Sequence, residues 1–232
     1  KSPVFARKQI EAGAIGICCA KVGEAEAMVA GGVKNILIPN QVIGESKIKR
    51  LIALASEANI VVAADDAGNV GQLSAAASGV GKEIGVIVEV NVGMNRCGTE
   101  PGEDTTALAR IITDSPGLRF DGVMGYEGHT VAVRDQAERT ANAELAMNTL
   151  LSAVDNIEAA GMPVNVISAS GTGTYTITGK MDRITDLQCG SYIFMDGDYL
   201  EVFEDFKPAL TVLATVISRP TSDRAVTDTG MK

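Results

Sequence analysis

Ile84–Gly98 reads IGVIVEVNVGMNRCG, and its two halves decide the fold. Ile84–Val92 is rich in β-branched residues, with Glu89 and Asn91 as its polar exceptions. A strand that is apolar at nearly every position is buried on both faces, the habit of parallel sheets covered by helices. Gly93 and Gly98 then turn the chain, and Arg96 stands between them at the strand's C-terminal end.

Outward from this stretch the same unit repeats. Further strands are expected at Ile15–Cys19, Asn35–Ile38, Ile60–Ala64, Gly122–Gly125, Val164–Ser168 and Ile184–Leu187. Helical patterns fall between them. Lys21–Ala30 ends at Gly31-Gly32, and Ser46–Ala58 carries Ile48, Leu51, Ile52 and Ala55 at helical spacing. Arg134–Ala160 carries Met147, Leu150, Leu151, Val154 and Ile157 on one stripe and stops at Gly161. Strands separated by helices imply parallel pairing through crossovers, which fits a doubly wound sheet or a closed barrel. Polar residues and glycines end nearly every strand rather than clustering at one switch point, and the most glycine-rich loops follow the last two strands. Both features favour an α/β fold of the (β/α)8 TIM type, which places phosphate sites at that position.

Only about seven strands are counted against the eight of such a barrel. The chain opens on a helix, Pro3–Ala12, so the first strand is expected upstream of Lys1. After Asp198 the repeat stops. Ala209–Ile217, Arg219-Pro220 and Arg224–Asp228 read as the start of a β-rich unit. The expected organisation is a barrel over 1–208, incomplete at its N-terminus, and the beginning of a C-terminal β domain over 209–232. By itself this segment should expose two unpaired sheet edges, so poor solubility or closure by a partner is expected.

Composition narrows the function. The 232 residues are 46% hydrophobic, enough for one sizeable core, and aromatics are 4% with no Trp. The net charge of -9 comes without a Lys/Arg cluster, which argues against nucleic acid as a partner. No long apolar run suggests a membrane span. The four cysteines form no CxxC pair and read as reduced thiols of a cytoplasmic protein.

Four strand ends could carry chemistry. Arg96 offers a guanidinium fork for a phenolate or carboxylate, or is a surface arginine on a loop. Gly125-Tyr126-Glu127-Gly128-His129-Thr130 holds the single histidine, which by itself cannot build a zinc site. Ser168–Tyr175, with Gly171, Thr172 and Gly173 in its middle, supplies backbone N–H groups and hydroxyls suited to phosphate, or is only a turn. Gly190, Ser191 and Tyr192 follow the last strand, and the two loops together match the barrel's phosphate position. Asp65 and Asp66 are read as capping the next helix, and Cys18 and Cys19 as buried.

Taken together these motifs resemble the fold-type III, alanine racemase-like enzymes. Val90–Gly98 is similar to a strand-end motif shared across that group. Gly13–Ala25, Gly125–His129, Ser170–Thr174, Gln188–Tyr199 and Val212–Lys232 resemble its D-threonine aldolase and D-serine dehydratase branch more closely. The resemblance implies pyridoxal 5'-phosphate as cofactor. Arg96 would contact the cofactor's phenolic oxygen and Tyr126 would lie near its ring. Gly171, Thr172 and Gly173, joined by Gly190, Ser191 and Tyr192, would hold its phosphate. His129 would be a contributor to proton transfer. The Schiff-base lysine sits in a pattern like R-P-H-x-K-T-H-K, whose last lysine matches Lys1, so the reactive lysine is expected upstream of Lys1. A divalent metal (Mn, Mg or Zn) is expected on ligands in a C-terminal domain, with none in this chain. Where relatives often carry Gln after the Cys-Cys pair this sequence has Ala20, a departure that puts any side-chain polar contact there in question.

The activity so implied is metal-assisted cleavage of D-3-hydroxy-amino acids, D-threonine-like, to glycine and an aldehyde by a cytoplasmic homodimer acting on a small-molecule D-amino acid. The alternatives are a D-serine or D-3-hydroxyaspartate dehydratase, a non-catalytic pyridoxal-phosphate-binding barrel, and a sugar-phosphate barrel that needs only the phosphate site.

Overall fold

The computed structural model describes residues 2–202 and 204–230. Lys1, matched above to the last lysine of the R-P-H-x-K-T-H-K pattern, lies outside the described residues, as do Met231 and Lys232.

Seven parallel strands run in sequential order: β1 (Ile17–Cys18), β2 (Asn35–Gln41), β3 (Asn59–Ala64), β4 (Ile84–Glu89), β5 (Leu118–Gly125), β6 (Val166–Ala169) and β7 (Asp186–Leu187). A helix α1 (Pro3–Glu11) precedes β1, and α2 (Val22–Ala30), α3 (Glu45–Leu54), α4 (Ala67–Ser78), α5 (Glu103–Thr113) and α6 (Gln136–Ala159) form the crossovers. The short α7 (Tyr175–Thr178) links β6 to β7.

Burial explains the curl of the sheet. Side chains alternate across a strand, so one set meets the helices and the other faces inward. Ile36, Ile38, Val62, Val86, Val88 and Val123 belong to the large core that includes the helices' apolar stripes. Ala63, Ile87 and Met124, with Leu37, Val61 and Val166, make a separate smaller cluster on the inner face. The α6 stripe is as expected, with Met147, Leu150, Val154 and Ile157 fully buried. The result is a curled seven-stranded half-barrel of the TIM kind, as the sequence implies. Its edges, β1 and β7, face each other across a cleft of about 300 Å³ lined by Gly16, Ile17 and Cys18 on one side and Leu187, Gln188 and Cys189 on the other.

The boundaries differ from the sequence reading at instructive places. β4 ends at Glu89 rather than Val92, because the Asn91 carboxamide oxygen accepts from Gly93 N (3.2 Å) and Asn95 N (3.1 Å) and pulls the chain into a turn. β2 runs on to Gln41 through a register shift after Ile38. α3 stops at Leu54, short of Ala58. α6 begins at Gln136 because Asp135 caps it, accepting from Glu138 N at 2.8 Å. Beyond the sheet, β8 (Val216–Thr221) and β9 (Arg224–Thr227) form an antiparallel pair whose residues are all exposed. Among the described residues no helix is long and apolar enough to cross a membrane, and no disulfide joins the cysteines.

Candidate active site

The ends of β4 and β2 place the arginine. Glu89, the last residue of β4, is buried and accepts from Gln41 Nε2, at the end of β2, at 2.5 Å. The following turn carries Asn95 at a φ of 54°, in the left-handed region that asparagine tolerates. Gly98 N donates to Asp65 Oδ2 at 2.9 Å, closing the turn against the end of β3. Arg96 is thereby held with its guanidinium 5.8 Å from the centroid of the Tyr126 ring and 3.8 Å from Glu89 Oε1. The first distance is within reach of a cation–π contact. The second is a loose ion pair to a half-exposed guanidinium and adds little stability. Burial pushes the Glu89 carboxyl above its ordinary range, against the opposing pull of Gln41 and Arg96.

The end of β5 splits two neighbours between two jobs. Tyr126 turns into the mouth, and burial raises its phenol above the ordinary value, which keeps it neutral. Gly128 must lack a side chain, since a Cβ there would run into the Tyr126 ring and Met94 Sδ. Glu127 goes the other way and is wholly buried. It accepts from Ser170 N (3.1 Å), Thr174 Oγ1 (2.7 Å) and Thr178 Oγ1 (2.7 Å). His129 packs over Gly93, where a Cβ would come 3.2 Å from its ring. It is not among the residues lining the cleft described below, and no proton transfer is assigned to it.

The loops after β6 and β7 complete the arrangement. Ser170 adopts a φ of 73°, unusual for a residue with a side chain. Gly171 abuts the Tyr126 ring so closely that a Cβ would lie 3.1 Å from it. Thr172 Oγ1 accepts from Tyr192 N at 3.1 Å and ties the two loops together. Gly190 has open space where a Cβ would be. Cys189 sits beside these loops, and burial pushes its thiol up to about 11.

These pieces meet in one cleft of about 240 Å³ at the C-terminal ends of the strands. Arg96, Tyr126, Gly171, Thr172, Gly190 and Ser191 all line it. Arg96 and the glycine turn therefore share one face of the molecule. Two of the predicted residues stand apart. Gly173 packs on the Val131 backbone. The Tyr192 side chain turns into the cleft between β1 and β7, where Gln9 Nε2 donates to its hydroxyl at 2.5 Å. Asn40, from the polar end of β2 that the sequence also places at the mouth, lines the site too, as do Gln188 and Tyr199 of the Gln188–Tyr199 stretch. Asp66 caps α4 as expected, accepting from Asn69 N at 2.8 Å; Asp65 instead secures the arginine turn. Cys19 is buried as expected, while Cys18 is half-buried in the edge cleft.

Among the described residues, Asp65, Glu89 and Cys97 bring their ligand atoms within 4.8 Å of one another. Asp65 is taken by Gly98 N and Glu89 by Gln41 and Arg96. A cluster with two of its three members so engaged, one of them beside a cation, does not suit a divalent metal, and no metal is placed there.

Residues 4–198 match the model of the alanine racemase N-terminal domain. The chain belongs to that family. Within it, the chain is 39% identical to the D-threonine aldolase of an Arthrobacter species, over 100% of this chain and 62% of the relative. It is 36% identical to the 3-hydroxy-D-aspartate aldolase of Paracoccus denitrificans (strain Pd 1222), over 95% of this chain and 59% of the relative. The crystal structure of D-threonine aldolase from Filomicrobium marinum superposes with a TM-score of 0.93 at 38% identity, covering 99% of this chain and 63% of that one. The chain thus spans about three fifths of the length of these family members.

Proposed function

We propose that this chain is the cofactor-holding barrel of a pyridoxal-phosphate-dependent lyase that cleaves D-3-hydroxy-amino acids, D-threonine-like, to glycine and an aldehyde. The observation that carries the reading is the meeting of Arg96, Tyr126, Gly171, Thr172, Gly190 and Ser191 in one cleft at the strands' C-terminal ends. The aldolase activities named for the Arthrobacter and Paracoccus relatives support the reaction class.

The residues suit the cofactor. Gly171 and Gly190 leave the cleft wall without side chains, so backbone N–H groups and the hydroxyls of Thr172 and Ser191 can serve a phosphate. Gly173 and Tyr192 support that turn from behind, Tyr192 through its N–H on Thr172. Arg96 places a permanent positive charge on the far wall for an anionic ring oxygen. Tyr126 supplies a flat neutral face between the two. When bound, the cofactor supplies an electron sink for the pair released from the Cα–Cβ bond.

The same reading assigns 1–208 to the barrel and 209–232 to the start of a β domain. It places the cofactor's lysine upstream of Lys1, the divalent metal on ligands of a C-terminal domain, and the whole in a cytoplasmic homodimer. The test is product analysis with the intact protein. Glycine and acetaldehyde from D-threonine are expected. Pyruvate and ammonia from D-serine, or elimination from D-3-hydroxyaspartate without glycine, would move the protein to the dehydratases, and cofactor uptake with no turnover would make it a carrier.

A further inference from the structure

We propose that Glu127 is the positioning residue of the phosphate turn, the group that holds Ser170–Thr174 in the shape that opens on the cleft. This rests on the cofactor reading above and deepens it.

A carboxylate with no exposed surface is a costly thing to bury unless donors surround it. Among the described residues, the three hydrogen bonds to the Glu127 carboxylate all come from one segment, residues 170–178, and none comes from a cation. An anion lodged beneath a phosphate site works against the ligand's charge, so its presence there calls for a geometric reason.

The bonds to Ser170 and Thr174 supply one. Ser170 N is held by Glu127 Oε2 while Ser170 sits at a φ of 73°, a conformation that a non-glycine residue leaves unless it is held. Thr174 gives its only hydroxyl proton to Glu127 Oε1, so the oxygen's lone pairs are left to accept from Gly171 N (3.4 Å), while the Ser170 hydroxyl donates to Gly171 O (3.0 Å). The carboxylate thereby sets the direction in which the threonine closes the turn. Thr178 ties the same carboxylate oxygen to α7, which anchors the loop from outside. The product is a turn in which Gly171 lies against Tyr126 and Thr172 lines the cleft.

A role confined to core stability would act on every ligand equally, whereas a positioned turn acts on the phosphate. In the intact protein, dissociation constants for pyridoxal 5'-phosphate and for pyridoxal, which lacks the phosphate, are measured by equilibrium dialysis. The preference for the phosphorylated form isolates the turn. Glu127→Gln keeps one accepting oxygen but turns an amide N–H toward Ser170 N, and the preference is expected to fall roughly tenfold. Thr174→Val breaks the link on the loop side and is expected to lower the preference by about fivefold. Thr178→Val cuts a Glu127 bond outside the turn, and should lower Tm while leaving the preference within about twofold. Should Glu127→Gln fail to fold, Thr174→Val decides. An unchanged preference in Thr174→Val, or in folded Glu127→Gln, overturns the inference and leaves the cofactor assignment standing. A parent protein that binds both ligands equally overturns the assignment itself, and the inference with it.

Discussion

The middle of the sheet and its margins are built differently. β2 to β5 have 7, 6, 6 and 8 residues, whereas β1, β6 and β7 have 2, 4 and 2. In the middle, long ladders fix the backbone; Tyr126 follows the end of β5 directly, and the turn that carries Arg96 is pinned to the end of β3 through Gly98 N and Asp65. At the margin the ladders are too short to dictate the loops. Position there comes from side chains such as Glu127 and Thr172 that bond across loops. One half of the site stands on long packed ladders and the other on side-chain hydrogen bonds between loops.

Three measurements would break or sharpen that contrast. The largest effect is expected in the packed half. Leu150 is fully buried, and a Cβ on Gly125 would lie 3.2 Å from its Cδ1, so it packs directly beneath the end of β5. Leu150→Ala should destabilise by about 2–5 kcal/mol, read from denaturant melts, while the preference for phosphorylated over plain pyridoxal persists; loss of that preference would show the two halves to be one unit. In the bonded half, Gly171→Ala pushes a methyl to 3.1 Å from the Tyr126 ring. It should leave the melt nearly unchanged and weaken pyridoxal phosphate by up to about tenfold, or ~1.4 kcal/mol; a large stability loss instead would mean the turn is part of the core.

The smallest effect is a pH dependence. Burial raises the Glu89 carboxyl, so the native state holds a proton that the unfolded chain has released above the ordinary carboxylate range. Its contribution to stability is therefore full below that range and falls as pH rises through the raised value. Glu89→Gln cannot titrate, and melts across mildly acidic pH should show this slope in the parent and not in the variant. Parallel profiles would mean that Gln41 and Arg96 offset the burial.

The same division explains what the sequence disclosed. β2 to β4 are legible because burial leaves apolar runs, whereas β5 is legible only over Gly122–Gly125, since Arg119 and Asp121 break the first half of Leu118–Gly125; Arg96 and Tyr126 are legible because they follow such runs. β7 was placed at Ile184–Leu187 but forms only at Asp186–Leu187, since a two-residue ladder leaves no periodic trace. Glu127 was seen only as part of a Tyr/Glu/His cluster. Its partners lie 43, 47 and 51 residues further along, a separation no local pattern reveals. Gly128 is the local signal at this strand end, a position where a Cβ would run into the Tyr126 ring. His129 draws attention through its place in that same cluster at a strand end, which says nothing of where its ring points.

One irregularity in β5 has a wider consequence. Val86 pairs with Phe120 and the next residue of β4, Ile87, pairs with Gly122, so Asp121 is an extra residue in the ladder, its carboxylate clasped by Arg119 at 2.5 Å. The bulge absorbs that residue, so Gly122, Val123 and Met124 still face Ile87, Val88 and Glu89. In an unbroken ladder Asp121 would take the place opposite Ile87, and every residue beyond it would change face. The irregularity thus sets the phase that aims the Tyr126 ring into the cleft and sends Glu127 the other way, and straightening the strand, rather than deleting the residue, would exchange the two.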